Sequence, residues 1–402
     1  MFRALRQRNF AILLAGVFAA NVGTWMQAVA MGWLIYDLTG QAAWLGRIGF
    51  AGAVPTLVIG LIGGAFTEHA DRKQVLAFSA LLIATSTATL TTLVVSGVVQ
   101  IWMIVSLSFV SGIGTALFAP VFQTVLPQMV PPELLMTAIS LNSTAFNIAR
   151  VLGPLIAGWT MTHFGLGWCF AGTAAGFLIM ALTVPALRLP PRPAGPRPPL
   201  GRTLIEGFAY ARNHAVIRRL LVLGVVMSLF GFPFIVLMPA LARSSLGLDA
   251  QGFTRLISVL GVGAVGGGFT LAALGHVRRP ALVVCGAGVS FGTLLVTLAF
   301  AHNATVAMGI LTATGFVMIL SVASLNTLLQ TVVDDGMRAR VMSMLTVSFF
   351  GLPTLGAWLL GAIGDRVGIH NALALGGAGV ATVALVVFLT SPALRAAGRA
   401  AP

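Results

Sequence analysis

Residues 10–36 read FAILLAGVFAANVGTWMQAVAMGWLIY, a run without a charged side chain. A helix needs about 20 mostly apolar residues to cross the hydrocarbon core of a bilayer. The run is longer than the apolar core of a cleaved signal peptide, which has about 7–15 residues. We therefore expect it to be a retained membrane-spanning helix whose polar groups Asn21, Thr24 and Gln27 lie at membrane depth.

The composition of the whole chain agrees with a membrane environment. Hydrophobic residues make up 58% of the 402 residues and charged residues 8%, whereas a soluble domain has about 25% charged residues. The net charge of +14 comes from arginines between the apolar runs, not from a basic face interleaved with aromatic side chains, which argues against nucleic-acid binding. Cys169 and Cys285 lie inside apolar runs and are interpreted as small apolar filler. The sequence shows no cluster of His, Asp, Glu or Cys typical of a metal site or a nucleophile, so we expect no metal, no cofactor and no enzyme activity.

Eleven more apolar runs follow the first, and the chain is predicted to be an all-α membrane protein with twelve transmembrane helices. The predicted spans are Phe10–Tyr36, Trp44–Phe66, Val75–Val95, Trp102–Leu126, Thr137–Phe164, Trp168–Leu187, Leu220–Leu241, Gly252–Leu274, Ala281–Ala301, Val306–Leu328, Val341–Ile363 and Ala372–Thr390.

The basic residues predict the orientation, because arginine and lysine accumulate on the cytoplasmic side. With a cytoplasmic N-terminus, only Arg47, Arg243, Arg255 and Arg366 face outward and Arg150 lies within a span, leaving eighteen of the 23 basic residues inside. We therefore expect both termini to be cytoplasmic and the protein to be a multi-pass protein of the inner membrane.

A change of composition near the middle divides the chain into two halves. Residues 188–219 begin with a proline-rich stretch, typical of a stiff tether, and continue as a predicted interfacial helix over Thr203–Asn213. The predicted domains are a six-helix bundle at 1–187, this cytoplasmic linker at 188–219 and a second six-helix bundle at 220–402. Gln123-Thr124-Val125 and Gln330-Thr331-Val332 close the fourth and tenth runs, which indicates a parallel repeat.

Four short stretches resemble the major facilitator superfamily, in particular its branch of enterobactin exporters and drug:proton antiporters. The sequence GAFTEHADRK at 64–73 is similar to the superfamily's loop G-x-x-x-D-R-x-G-R-[RK]. Gly153, Pro154 and Gly158 match the antiporter motif G-P-x-x-x-G. Residues 338–343 resemble the R-G-R-V-M-S of that branch, and residues 212–219 its approach to span seven. The resemblance covers essentially the whole chain and implies the major facilitator fold of two six-helix bundles.

The loop at 64–73 implies a gate on the cytoplasmic side, formed by Gly64, Glu68, Asp71, Arg72 and Lys73. Glu68 stands where the motif has aspartate, and Asp71 stands in a glycine position. The gate would be a latch in which Glu68, Asp71 and Arg72 pair with neighbouring helix ends. The alternative is anchoring by positive charge alone, which explains the basic residues but not the acids.

Polar side chains within the spans predict a water-filled substrate cavity, because polar groups are costly in lipid. Ser143, Asn147 and Arg150 fall on one face of the fifth span by their helical spacing. The predicted cavity residues are Asn21, Thr24, Trp25, Gln123, Ser143, Asn147, Arg150 and Asn326. Arg150 is either a cation that meets the substrate or a structural arginine bound to neighbouring carbonyls and carboxamides; the first-span residues either line the cavity or pack between helices.

The resemblance implies a secondary transporter, and no G-x-x-x-x-G-K-[ST] loop for ATP occurs. We expect a monomer that exports a small amphiphilic compound, such as a siderophore, drug or metabolite, by alternating access. A proton is the candidate coupling ion, although all nine acidic residues lie at run ends or in loops. This placement favours anionic, zwitterionic or neutral substrates. Two alternatives remain: a transporter or flippase of lipids such as lysophospholipid, and a transport-inactive membrane sensor.

Overall fold

The computed structural model describes residues 3–67, 71–189, 208–274, 280–392 and 394. These residues are nearly all helical. The helices are α1 (Arg8–Thr39), α2 (Ala42–Thr67), α3 (Arg72–Val95), α4 (Ile101–Val125), α5 (Leu135–His163), α6 (Gly167–Thr183), α7 (Ala215–Val226), α8 (Pro233–Ser244), α9 (Ala250–Leu274), α10 (Pro280–Ala299), α11 (Ala304–Val332), α12 (Asp335–Val367) and α13 (Ile369–Leu389).

Ten helices within the described residues are long and apolar enough to cross a membrane, with α7 and α8 joined as one segment from Ala215 to Ser244. The multi-pass membrane class predicted from the sequence is therefore confirmed. The helices α2 and α5 are not among these ten, so the described residues do not establish the predicted number of twelve. For α5 the composition gives the reason. Asn142, Asn147 and Arg150 lower the average hydropathy of α5, since carboxamide and guanidinium groups strongly disfavour lipid.

The seventh predicted span is interrupted. A π-helix occupies Met227–Gly231 between α7 and α8, and the sequence pattern did not predict it. The added residue of a π-helix breaks the regular hydrogen-bond ladder, and Pro233 then starts α8 without needing a backbone N–H group. The short helix that precedes α7 covers 208–213 among the described residues. Residues 203–207 of the predicted interfacial helix lie outside them.

The chain divides into two compact units. The first contains residues 1–38 and 48–200, and the second contains residues 39–47 and 201–402. In the first unit α3 packs against α4 and α6. Its core includes Phe10 and Leu13 of α1, Leu76 of α3, Val125 of α4 and Met180 of α6. Burial of such side chains from α1, α3, α4 and α6 around one core holds this unit together.

The second unit has packing that corresponds to the first. Here α10 packs against α11 and α13, the same pattern as α3 with α4 and α6. The helix α4 ends at Val125 and α11 ends at Val332, each at the end of a Gln-Thr-Val triplet. The two triplets therefore mark equivalent helix ends in the two units.

Candidate functional site

The helix α5 presents three different faces. Ala149, Gly153 and Ala157 form a buried face along the inside of the first unit. A second face is apolar and exposed, with Ile148 46%, Leu152 38%, Leu155 48% and Trp159 56% accessible, as expected for side chains that contact lipid.

The third face is polar, and we call it the polar face of α5: Ser140, Ser143, Asn147 and Arg150. Ser140, Ser143 and Asn147 are exposed and Arg150 is half-buried. Their steps of three, four and three residues place them on one side of the helix. Polar groups at membrane depth require water or polar partners, whereas the apolar face with Ile148 suits contact with lipid.

Hydrogen bonds on this face are local. The Asn147 side-chain amide Nδ2 donates to the carbonyl of Ser143 at 2.8 Å. This bond uses a donor of Asn147 and leaves its carbonyl oxygen as an acceptor. Within the described part of the chain, Arg150 has no side-chain hydrogen bond or ion pair. Its guanidinium has five N–H donors, and the described residues provide no acceptor for them.

The helix α5 contacts α1 through an aromatic pair. The rings of Trp25 and Phe146 lie 6.0 Å apart with an interplanar angle of 66°, an edge-to-face pair. The contact exists because Gly153 has no side chain. A Cβ at Gly153 would collide with the Cβ of Trp25 and lie 3.0 Å from the carbonyl oxygen of Val22. The predicted pair of Trp25 on the first span and Asn147 on the fifth therefore lies on helices in direct contact.

The other predicted residues of α1 and α4 differ in their surroundings. Thr24 is exposed, and its hydroxyl donates to the carbonyl of Ala20 at 2.9 Å, a common local bond for threonine in a helix. Asn21 is half-buried one turn before Trp25. Gln123 is exposed near the end of α4, and none of the contacts described for it joins it to the polar face of α5.

Asn326 lies in the second unit, on α11. Its side-chain oxygen accepts a hydrogen bond from Gln330 at 2.6 Å. This pair at i and i+4 is a polar patch of its own. Gln330 was not among the predicted site residues, although the four-residue spacing from Asn326 could have indicated it.

The antiporter-like motif has a structural counterpart in the second unit. Gly153 and Pro154 are buried in α5, and Gly158 is buried one turn later. A Cβ at Gly356 of α12 would collide with the carbonyl oxygen of Leu229, which belongs to the π-helix after α7. The fifth predicted span thus packs closely on the first, and the eleventh packs closely on the seventh.

The predicted gate loop is partly described. Gly64 lies within α2, whereas Glu68 and His69 lie outside the described residues. Asp71 is the N-cap of α3 and accepts a hydrogen bond from the backbone N–H of Lys73 at 2.8 Å. Asp71 therefore satisfies the start of its own helix.

Arg72 of the same loop contacts the end of another helix. It is 9% exposed, and its Nη1 donates to the side-chain oxygen of Gln128 at 2.8 Å. Gln128 lies in the 3-10 turn Leu126–Met129, directly after α4. The guanidinium thus links the start of α3 to the end of α4 within the first unit. Gln128 was missed because it lies outside the apolar run.

Comparisons with known proteins agree with this architecture. The family model described as transmembrane secretion effector matches residues 1–400. The multidrug efflux pump Tap of Mycolicibacterium fortuitum is 26% identical over 89% of this chain and 90% of its own length. The enterobactin exporter EntS of Salmonella choleraesuis is 26% identical over 84% of this chain and 82% of its own.

Solved structures agree on the fold. A bacterial homologue of the human lysosomal transporter Spinster, solved in an inward-facing and unoccupied conformation, superposes with a TM-score of 0.77 at 15% identity. The match covers 100% of this chain and 99% of that one. The family match runs along nearly the whole chain, and the relatives include exporters. Both findings agree with the two helical units described above. The chain belongs to the transmembrane secretion effector family of the major facilitator superfamily.

Proposed function

We propose that this protein is a secondary transporter that exports a small amphiphilic compound, such as a siderophore, drug or metabolite, by alternating access. The relatives named as a multidrug efflux pump and an enterobactin exporter support export of small molecules. The proposed topology has twelve spans, with both termini in the cytoplasm, in the inner membrane. The proposed domains are the bundles at 1–187 and 220–402 and the linker at 188–219, and the proposed state is a monomer.

The polar face of α5 is the observation on which this proposal rests. A guanidinium near the middle of a membrane helix costs about 2.5–3.5 kcal/mol on insertion scales. Arg150 has no described protein partner that offsets this cost, and Ser143 and Asn147 beside it are exposed. A water-filled solute-binding site explains this arrangement. Water would solvate the Arg150 guanidinium when the site is empty, and the bound solute would do so when the site is occupied.

The same face favours a solute with an anionic or hydrogen-bond-accepting group. Arg150 offers donors, and the Trp25–Phe146 pair offers an apolar edge nearby. The acidic residues that the structure describes lie at helix ends or in loops; Asp37, Asp249 and Asp365 are examples. A cationic drug would therefore find no described carboxylate at mid-membrane depth. The residues proposed to bind solute are Asn21, Thr24, Trp25, Gln123, Ser143, Asn147 and Arg150 in the first unit, and Asn326 in its own polar patch of the second unit.

Transport into inverted membrane vesicles tests the proposal. We would compare an anionic aromatic dye, its neutral methyl ester and the cation ethidium, with and without a pH gradient, which also tests the proton as coupling ion. We expect uptake of the anion. Arg150→Gln should raise the apparent KM for the anion by about 10- to 150-fold. This range corresponds to the loss of one hydrogen bond to a charged group, which is worth about 1.5–3 kcal/mol.

The controls separate binding from folding. Arg150→Lys keeps the charge and should retain part of the transport, and the neutral ester should respond little to either variant. Unchanged transport of the anion by a stable Arg150→Gln protein would contradict the role of Arg150. Absence of transport for all three probes and for further lipid and siderophore probes would contradict the exporter and favour a sensor.

A further inference from the structure

The start of α2 is capped by a residue from a distant part of the chain. Asp365, near the end of α12, accepts hydrogen bonds from the backbone N–H groups of Ala42 at 2.7 Å and of Ala43 at 3.1 Å. These are the first two residues of α2. The first N–H groups of a helix have no partner within it, and a carboxylate also interacts favourably with the positive end of the helix dipole.

Thr39 precedes α2 and is of a residue type that often caps helices, but its described hydrogen bonds lie within its own turn. The hydroxyl of Thr39 donates to the carbonyl of Gln41 and accepts from the N–H of Gln41, within the turn before α2. The helix α9 follows the corresponding turn of the second unit, and it is capped locally: Asp249 accepts from the N–H of Gly252 at 2.8 Å. Of these two helices, α2 depends on a remote carboxylate and α9 does not.

Two glycines bring the helices close enough for this cap. A Cβ at Gly46 would collide with the backbone of Trp358, and a Cβ at Gly361 would lie 2.7 Å from the carbonyl oxygen of Ala42. Trp358, Gly361 and Asp365 are spaced by three and four residues, so they lie on one face of α12. Leu45 beside this contact is 2% exposed. The carboxylate and the two glycines therefore form one continuous contact, which we call the Asp365 clamp.

The helix α2 belongs to both compact units. Its first six residues, Ala42–Arg47, cluster with the second unit, and the helix from Ile48 onward clusters with the first. A movement of the first unit that carries the whole of α2 with it must therefore break the bonds of Asp365 and separate Gly46 from Trp358. A transporter working by alternating access requires movements of this kind.

We infer that Asp365 is a positioning residue of the transport cycle, which holds the start of α2 in one conformational state and releases it in another. In the proposed topology this contact lies on the non-cytoplasmic side of the membrane. The inference rests on the proposed topology and on alternating access, but it does not depend on the identity of the solute. Loss of one helix cap is worth about 1 kcal/mol, so removing it should shift the balance of the two states about fivefold.

Cysteine labelling tests the clamp directly. Cys169 and Cys285 are replaced by alanine, and Leu45→Cys is introduced as the reporter in cells. A membrane-impermeant maleimide added from outside should label this buried position slowly. We expect Asp365→Ala and Asp365→Asn to raise the labelling rate about fivefold, because the released end of α2 exposes position 45 more often. Asp365→Glu should restore slow labelling at least in part.

Asp249→Ala is the matched control, because it removes a helix cap from α9 without touching the clamp, and it should leave the labelling rate at position 45 unchanged. Size-exclusion chromatography of each variant identifies any that does not fold. Gly46→Ala is an independent second variant, since its methyl group displaces Trp358, and it should also speed labelling. Equal labelling rates in the parent, Asp365→Ala and Gly46→Ala proteins would overturn the inference. Failure of solute transport with an intact labelling response would instead count only against the proposed function.

Discussion

Replacing Gly153 by alanine tests the close packing of α1 on α5, on which the position of the polar face depends. The added methyl group would collide with the Cβ of Trp25 and lie 3.0 Å from the carbonyl oxygen of Val22 and 3.2 Å from the backbone nitrogen of Met26. These atoms belong to the backbone of α1 or are attached to it, so no side-chain rotation relieves the collision. The helices must move apart, and overpacking of this kind costs about 1–3 kcal/mol.

A matched glycine elsewhere isolates this steric cost. A Cβ at Gly379 of α13 would have open space around it. Both replacements gain helix propensity, worth about 1 kcal/mol each, and this gain cancels when the two variants are compared. The difference between them should therefore be the steric cost of about 1–3 kcal/mol, equivalent to about 5- to 150-fold in the folding equilibrium.

The two cysteines provide the assay. Cys169 and Cys285 are buried, so a dye that fluoresces when it reacts with thiols reports unfolding of the purified protein in detergent. We expect Gly153→Ala to unfold at a lower temperature than Gly379→Ala, and the latter to unfold at or above the temperature of the parent. If the two variants unfold at the same temperature, the reasoning about the α1–α5 contact is wrong.

Three further predictions concern single hydrogen bonds. Thr173→Val removes the bond from its hydroxyl to the carbonyl of Gly23 at 2.6 Å. It should lower the free energy of unfolding by about 0.6 kcal/mol, and no loss of stability would contradict the bond between α6 and α1. Gln128→Leu removes one acceptor of the buried Arg72 and should destabilise the protein by about 1 kcal/mol, whereas Gln123→Leu, at an exposed position, should not destabilise it. The pKa of Tyr210 is raised above its usual value by desolvation and by its hydrogen bond to Asp334. Only the neutral hydroxyl donates, so this bond stabilises the protein below the ordinary tyrosine pKa of about 10 and is lost as the pH rises through the raised value. Ultraviolet titration, assigned with Tyr210→Phe, should find that Asp334→Ala lowers the pKa of Tyr210; an unchanged value would exclude that bond as a cause.

The sequence predicted those features that depend on composition and helical spacing. The apolar runs predicted the membrane helices because lipid tolerates few charged side chains, and the spacing of Ser143, Asn147 and Arg150 predicted a shared face because helix geometry is regular. Contacts between distant helices could not be predicted in this way. The cap of Ala42 by Asp365 joins positions 323 residues apart, and nothing in the local pattern around either residue indicates the other.

The π-helix at Met227–Gly231 illustrates a second limit. Its residues are as apolar as their neighbours, so the hydropathy of the seventh run is continuous through it. The interruption arises where the run packs against α12, with Gly356 at the carbonyl of Leu229. Local periodicity contains no signal for such packing, although the Pro233 that follows the interruption is a residue that often begins a helix.

Labelling of two adjacent positions on α5 tests the central claim, that its polar face is wet, most directly. Asn147 and Ile148 lie at the same depth on different faces of the helix, and both are exposed. In a background without Cys169 and Cys285, a hydrophilic maleimide should react with Asn147→Cys in the membrane-embedded protein, and an added anionic solute should slow that reaction. We expect it not to react with Ile148→Cys, because acyl chains should cover the apolar face of α5. Reaction at position 148 and none at position 147 would mean that the polar face is turned to lipid, and the proposed transport site would be wrong.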